Sequence, residues 1–131
     1  MSEDYPIVAI VDDDIAARRA LARLLASQHM RVQQYASAEQ YWTSAQANDA
    51  FCVLIDIDLG DGISGLDLGK AIKSSTWPIP IIFMTGSADW AIRARAEALG
   101  CIAFLEKPCL GEHMLAAIRK ARAASQTLIQ D

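Results

Sequence analysis

The sequence has little of what several protein classes need. It has no apolar run long enough to cross a bilayer and no basic segment ahead of an apolar one at its amino terminus, so we expect neither a membrane span nor a secretory signal. Lysine and arginine number 12 against 16 acidic residues, and the net charge of −4 argues against nucleic-acid binding by this domain. These features predict a cytoplasmic protein.

Side chains for common catalytic mechanisms are also scarce. The cysteines, Cys52, Cys101 and Cys109, are odd in number and lack the paired spacing of metal ligands, so we expect buried or half-buried thiols without a redox role. The two histidines, His29 and His113, fall near a helix end and in the last predicted helix, where ordinary surface residues are expected. No Ser-His-Asp or Cys-His arrangement is recognisable.

Apolar residues, by contrast, make up 53% of the 131 residues, which is enough for one sizeable core. We predict one domain over residues 1–124 and a tail or the start of a linker over residues 125–131. The strands are predicted at 7–11, 31–35, 51–55, 81–84 and 101–105, and the helices at 14–28, 37–46, 64–74, 88–99 and 112–124. Five alternations of strand and helix imply right-handed crossovers and a parallel sheet covered on both faces.

The helical spacing of apolar residues predicts which side of each helix faces the sheet. The predicted inward residues are Ala17, Leu21, Leu24 and Gln28 of the first helix, Tyr41 or Trp42 and Ala45 of the second, Leu68 and Ile72 of the third with Gly65 and Gly69 as further candidates, and Leu115, Ile118 and Ala121 or Arg122 of the last. The two glycines lower helix propensity, and close packing on the sheet is the expected reason for them.

Polar side chains follow the predicted strands at one end. Asp12 and Asp13 follow the first strand, Asp56 the third, Thr85 the fourth and Lys107 the fifth. Because the carboxyl ends of parallel strands share one edge of the sheet, we expect these groups to converge there. Carboxylates that lie so close need a cation, and Mg²⁺ prefers a few carboxylates together with water and phosphate oxygens. The sequence therefore predicts a divalent metal site with a hydroxyl and an ammonium group suited to phosphoryl oxygens.

Five segments of the chain, in order and at the usual intervals, resemble the receiver domain of bacterial two-component response regulators. They are residues 7–14 (Ile-Val-Ala-Ile-Val-Asp-Asp-Asp), 53–56 (Val-Leu-Ile-Asp), 64–66 (Ser-Gly-Leu), 82–86 (Ile-Phe-Met-Thr-Gly) and 104–108 (Phe-Leu-Glu-Lys-Pro). The last segment resembles receivers of the nitrogen-fixation regulator type. The resemblance implies an α/β, flavodoxin-like doubly wound (βα)5 fold, with five parallel strands in the order 2-1-3-4-5 and helices on both faces.

The resemblance also implies roles for single residues. Asp56 would accept a phosphoryl group from a sensor histidine kinase or phosphotransfer protein. Asp13 and Asp56 would bind Mg²⁺ directly, Asp12 through water, and the main-chain carbonyl of Asp58 would complete the protein ligands. Lys107 would pair with a carboxylate at rest and with a phosphoryl oxygen after transfer.

Two further residues would carry the switch. By resemblance, Thr85 would swing in to bond the phosphoryl group, and the ring of Phe104 would rotate inward and report that movement to the face of the fourth helix, fifth strand and fifth helix. A core aromatic without a switching role is the alternative for Phe104. The bond between Lys107 and Pro108 is expected to be cis, as an X-Pro bond allows.

Several residues near the site have competing interpretations. Asp58 is an alternative acceptor, but the apolar run ends at Asp56, which we favour. Asp14 is better explained as a charge at a helix amino terminus than as a metal ligand. The pair Leu59-Gly60 departs from the family pattern, and the loop up to Ser64 is one residue longer than is common. We hypothesise that the Asp58 side chain helps to position a hydrolytic or metal-bound water.

The expected function is a phosphorylatable signalling switch, not a turnover enzyme. Its partners would be a kinase and either a downstream output protein or a fused output domain, and it would be a monomer or a phosphorylation-dependent dimer. One alternative is the receiver part of a DNA-binding transcriptional regulator. Others are a receiver that binds partners without phosphorylation and a Mg²⁺-dependent phosphohydrolase, against which the missing acid/base residues argue.

Overall fold

The computed structural model describes residues 5–44, 49–87 and 89–130, and the side chains of 127–130 lie outside that description. Strands and helices alternate along the chain in the order β1 (Ile7–Val11), α1 (Ile15–Ala26), β2 (Arg31–Tyr35), α2 (Ala38–Trp42), β3 (Cys52–Asp56), α3 (Gly65–Lys73), β4 (Ile81–Thr85), α4 (Trp90–Ala98), β5 (Ala103–Glu106) and α5 (Gly111–Gln130). No helix in these ranges is both long and apolar enough to cross a lipid bilayer.

The five strands form one parallel sheet in the order β2-β1-β3-β4-β5. The predicted flavodoxin-like fold is therefore confirmed. Every residue of β3 and β4 is buried, as expected of strands that are covered by helices on both faces. The order reverses direction between β1 and β3, and this switch point is where sheets of this kind place their ligands.

Alternate residues of the central strands belong to two separate hydrophobic cores, one on each face of the sheet. Val53 and Ile55 belong to the cluster that packs under α2, α3 and α4, whereas Cys52 and Leu54 belong to the cluster under α1 and α5. The period of two along a strand produces this division. Both faces of the sheet are therefore covered, and the edge that carries the polar residues lies between two packed layers of helices.

The inward face of α1 is only partly as predicted. Leu21 and Leu24 pack against the core, but the fully buried residue is Leu25, which the predicted stripe left out. Gln28 is exposed, and its predicted inward position is wrong. The helix ends at Ala26, and His29 takes a positive φ of 62°, so Gln28 lies beyond the last helical turn.

The other helices settle the alternatives that the pattern left open. Tyr41 is buried, while Trp42 is 53% exposed. Gly65, Leu68, Gly69 and Ile72 are buried together on α3, as predicted. On α5, Ala121 is buried and Arg122 instead places its guanidinium 5.0 Å from the centre of the Phe51 ring. Met114 and Ala117 complete that buried face and were not predicted.

Several element boundaries differ from the prediction, most of them by one or two residues. The α2 helix ends at Trp42 and not near Gln46, with Thr43 as its C-cap. The predicted inward Ala45 lies outside the described residues. The β5 strand begins at Ala103, after a turn at Gly100 with a φ of 76°. The α4 helix begins at Trp90 with Asp89 as its N-cap, and the predicted start at Ala88 lies outside the described residues. The α5 helix runs on to Gln130, through most of the predicted tail.

Candidate functional site

The carboxyl ends of the strands bring the predicted polar residues to one edge of the sheet. Asp56 is the last residue of β3 and Thr85 the last of β4, while Asp12 and Lys107 directly follow β1 and β5. The main chain joins these ends, since the N–H of Lys107 donates to the Thr85 carbonyl at 2.7 Å and that of Ile57 to the Met84 carbonyl at 2.8 Å. Regular sheet bonding thus places the site residues.

Lys107 binds two carboxylates at once. Its Nζ donates to Oδ2 of Asp12 at 2.7 Å and to Oδ2 of Asp56 at 2.9 Å. Burial alone would lower the pKa of Lys107, but the hydrogen bonds to the two carboxylates and their charges outweigh it and raise the pKa above its ordinary value. The lysine is therefore a fixed positive charge at neutral pH.

The remaining oxygens of the two buried aspartates are held by the main chain. Oδ1 of Asp12 accepts from the N–H of Asp14, and Oδ1 of Asp56 accepts from the N–H of Asp58, both at 2.9 Å. Burial raises the pKa of Asp56, the hydrogen bonds from Lys107 and the Asp58 N–H oppose that rise, and the charge of Asp12 adds to it. Because both oxygens of each carboxylate accept a hydrogen bond, the orientations of Asp12 and Asp56 are fixed.

Asp13 completes an acidic cluster with Asp12 and Asp56. One carboxylate oxygen from each of the three residues lies within 4.8 Å of the others, and Asp13 is the exposed member. Three carboxylates that share one solvent-facing edge match the donor chemistry that Mg²⁺ prefers. The acidic cluster could hold such an ion. Asp58 lies outside this cluster and is exposed, while Asp56 lies inside it and is buried.

Thr85 is fully buried, and its hydroxyl points towards Asp58. Oγ1 donates to Oδ2 of Asp58 at 3.3 Å or to the Ser87 carbonyl at 3.2 Å, and it accepts from the N–H of Ser87 at 3.1 Å. Phe104 is half-buried on β5, and the guanidinium of Arg93 from α4 lies 5.4 Å from the centre of its ring. Of the two predicted switch residues, Thr85 therefore contacts Asp58 and Phe104 contacts Arg93.

Two predictions at the rim of the site are confirmed. Asp14 is the N-cap of α1, where Oδ1 accepts from the N–H of Ala16 at 2.9 Å and that of Ala17 at 3.4 Å. The peptide bond between Lys107 and Pro108 is cis.

Two contacts around the site, made by Arg18 and Glu39, were not predicted from the sequence. Nη1 of Arg18, on α1, donates to the main-chain carbonyl of Asp12 at 2.7 Å. Position 18 is one turn into the helix, above the end of β1, and that placement was the available signal. Glu39 of α2 accepts from the N–H of Ile63 at 3.2 Å, and nothing in the local sequence indicated this long-range contact.

Comparison with known proteins agrees with this geometry. Residues 8–119 match the model of the response regulator receiver domain family. Nodulation protein W of Bradyrhizobium diazoefficiens is 35% identical over 129 residues, covering 93% of this chain and 56% of that protein. Transcriptional regulatory protein FixJ of Azorhizobium caulinodans is 36% identical over 133 residues, covering 100% of this chain and 62% of that protein.

A solved receiver structure has the same fold as this chain. The crystal structure of a response regulator receiver protein from Pseudoalteromonas atlantica superimposes with a TM-score of 0.84 at 27% identity, covering 92% of this chain and 99% of that one. The chain spans between half and two thirds of the length of the two curated relatives. The matched residues 8–119 include all the residues at the acidic edge of the sheet. The chain therefore belongs to the family of response regulator receiver domains.

Proposed function

We propose that this chain is a phosphorylation switch in which Asp56 accepts a phosphoryl group from a phosphohistidine of a sensor kinase or phosphotransfer protein. The observation that carries the proposal is the placement of the Asp56 carboxylate. It is 5% exposed at the end of β3, bonded through one oxygen to Lys107, and part of the acidic cluster. A fixed, partly desolvated carboxylate beside a lysine suits nucleophilic attack on phosphorus.

The proposed step is a simple displacement at phosphorus. An oxygen of Asp56 forms an O–P bond while the P–N bond of the phosphohistidine breaks, and the electron pair returns to the imidazole nitrogen. Negative charge spreads over the equatorial phosphoryl oxygens during transfer, and the ammonium of Lys107, held 2.9 Å from Asp56, is placed to stabilise it. Lys107 would exchange its bond to Asp56 for one to a phosphoryl oxygen.

The acidic cluster would hold Mg²⁺ as the cofactor of this transfer. Asp13 and Asp56 would be direct ligands, Asp12 would bind through water, and the main-chain carbonyl of Asp58 would complete the protein ligands. When bound, the ion supplies positive charge that screens the carboxylates from the incoming phosphoryl oxygens. The spacing of the carboxylate oxygens within 4.8 Å supports this set.

Thr85 and Phe104 would convert phosphorylation into a change of surface. The Thr85 hydroxyl lies at the same edge as Asp56 and would leave Asp58 to donate to the phosphoryl group. Inward rotation of the half-buried Phe104 ring would follow and reshape the face of α4, β5 and α5, shifting a two-state equilibrium. Asp58 would assist later hydrolysis of the acyl phosphate by positioning a water.

The output of the switch is protein docking in the cytoplasm, either to a separate protein or to an output domain of a longer chain. One of the relatives is named a transcriptional regulatory protein, and this chain covers 62% of its length. That favours a fused DNA-binding output, with no contact to nucleic acid by the receiver itself. The switched face would serve a monomer or a phosphorylation-dependent dimer.

Intact mass after incubation with Mg²⁺ and acetyl phosphate tests the proposal. Wild type should gain one phosphoryl group that hydroxylamine removes, while Asp56→Asn gains none. Asp58→Asn is the matched control, since it changes an aspartate two residues away and should still be phosphorylated. Addition to Asp56→Asn would move the acceptor to another residue, and no addition to any variant would favour a phosphorylation-independent receiver.

A further inference from the structure

The loop between β3 and α3 is held at its far end by a residue outside the acidic cluster. The N–H of Ile63 donates to Oε2 of Glu39 at 3.2 Å. Glu39 is the second residue of α2, so this bond joins elements 24 positions apart in the chain. At the near end of the loop, Leu59 is buried in the core. The exposed residues 60–63 therefore lie between the buried Leu59 and the residue that is bonded to Glu39 of α2.

Two glycines allow this loop to pass close to the acidic cluster and to Glu39. Gly60 has a φ of 72°, and a Cβ there would lie 3.3 Å from Oδ2 of Asp13. Gly62 has a φ of 94°, and a Cβ there would lie 2.7 Å from Oε2 of Glu39. The main chain at Gly60 thus passes close to the Asp13 carboxylate, and that at Gly62 close to the Glu39 carboxylate.

We infer that Glu39 is a positioning residue for the acidic cluster. By holding Ile63, it fixes residues 60–63 beside Asp13, and this raises the affinity for Mg²⁺. Glycines lose the most conformational freedom on ordering, so a loop with two of them depends strongly on a tether. A site already in its binding conformation costs less to fill. The inference rests on the proposed metal role of the cluster.

A local role for Glu39 must be separated from this one. It lies in the first turn of α2, where a negative charge interacts favourably with the helix dipole whatever the loop does. Glu39→Gln removes that charge but keeps an amide oxygen that accepts from Ile63, whereas Glu39→Ala removes both. Glu112 occupies the first turn of α5 and is exposed, so Glu112→Ala is a matched loss of a first-turn charge elsewhere.

Titration of the metal-free protein with MgCl2, followed by amide NMR signals, gives the dissociation constant for each variant. Loss of one hydrogen bond of ordinary strength corresponds to about a fivefold change, so Glu39→Ala should weaken Mg²⁺ binding about fivefold. Glu39→Gln and Glu112→Ala should match wild type. The Ile63 amide should exchange faster with solvent in Glu39→Ala alone. Gly62→Ala, whose Cβ would displace the Glu39 carboxylate, should weaken binding in the same way.

The outcomes distinguish failure of the positioning role of Glu39 from failure of the proposed Mg²⁺ site. If wild type binds Mg²⁺ and Glu39→Ala binds it equally well, the positioning role is overturned and the metal site stands. Equal weakening in Glu39→Gln and Glu39→Ala would assign the effect to charge and also overturn it. If wild type does not bind Mg²⁺ at all, the proposed metal site fails and this inference fails with it.

Discussion

The hydroxyl of Thr85 donates to the carboxylate of Asp58 at 3.3 Å, from the end of β4 to the residue two beyond Asp56. In the resting protein this bond holds the predicted switch hydroxyl on Asp58, and the Ser87 carbonyl offers it a second acceptor. The residue that we expect to position a hydrolytic water is thus also the partner that Thr85 would leave under the proposed phosphorylation of Asp56. The two roles can be measured separately.

Substitution of Asp58 should lengthen the lifetime of the acyl phosphate in two steps. Asp58→Asn keeps an acceptor for Thr85 but weakens the hold on water, and one hydrogen bond of about 1 kcal/mol corresponds to about fivefold slower dephosphorylation. Asp58→Ala should be slower still, because Thr85 is then free for the phosphoryl group. Loss of phosphate followed by intact mass measures both rates. An unchanged rate in Asp58→Asn would refute the water hypothesis, and equal rates in the two variants would refute the link to Thr85.

Lys107 should contribute to stability chiefly by neutralising Asp12 and Asp56. Lys107→Ala leaves two buried carboxylates unpaired, and we expect a loss of about 2 kcal/mol, less than a fully buried pair would cost because the lysine side chain is 30% exposed. Saturating MgCl2 should restore part of that loss, since a cation in the acidic cluster counters the same repulsion.

Urea unfolding with and without MgCl2 measures this effect, and Lys120→Ala, at an exposed position of α5, is the control. The stabilisation by MgCl2 should be larger in Lys107→Ala than in wild type. An equal or smaller stabilisation would mean that the cation and the lysine do not act on the same charges.

The sequence predicted the edge residues well because parallel strands must end together. Once β1, β3, β4 and β5 were recognised, the positions of Asp12, Asp56, Thr85 and Lys107 followed from the topology. The contact of Glu39 could not be predicted, because it depends on how a long side chain crosses to another element. For Arg18 the only signal was its position one turn into α1, which does not show where the side chain ends. The end of α5 was underestimated since residues 125–130 lack a strong apolar stripe, and a helix already packed at Ala121 continues at little cost.

Gly69 is required by the ring beneath it. A Cβ at this position would lie 2.5 Å from Cζ of Phe83, which is fully buried in β4. Overpacking of this kind costs about 2 kcal/mol, so Gly69→Ala should destabilise the protein even though alanine favours a helix. Phe83→Leu removes the atoms that would clash, and in the double variant the alanine should cost much less.

The free energy of unfolding of the four proteins in this cycle gives the coupling between the two positions. Gly86→Ala is the control, because a Cβ at Gly86 would meet nothing within 4 Å. Additive effects of Gly69→Ala and Phe83→Leu would show that the glycine is needed for some reason other than the ring.

Two buried groups should make the fold sensitive to alkali. Burial raises the pKa of the Cys52 thiol from 9.0 to about 12 and that of the Tyr41 hydroxyl from 10.0 to about 12. In each case the folded state holds the neutral form more tightly, so the stability is complete below the unfolded pKa and is lost as the pH rises towards the folded one. Between these limits each group should lower the free energy of unfolding by about 1.4 kcal/mol per pH unit.

Between about pH 9 and pH 10, only Cys52 of this pair ionises in the unfolded chain while it stays neutral in the folded protein, which allows its share to be isolated. Urea unfolding across that interval should give a steeper loss of stability for wild type than for Cys52→Ala. The comparison uses slopes, because the loss of the buried sulfur lowers the stability of the variant at every pH. Above pH 10, Tyr41→Phe should flatten the curve in the same way. Parallel curves for wild type and Cys52→Ala from pH 9 to 10 would mean that the thiol ionises as readily in the folded protein as in the unfolded chain.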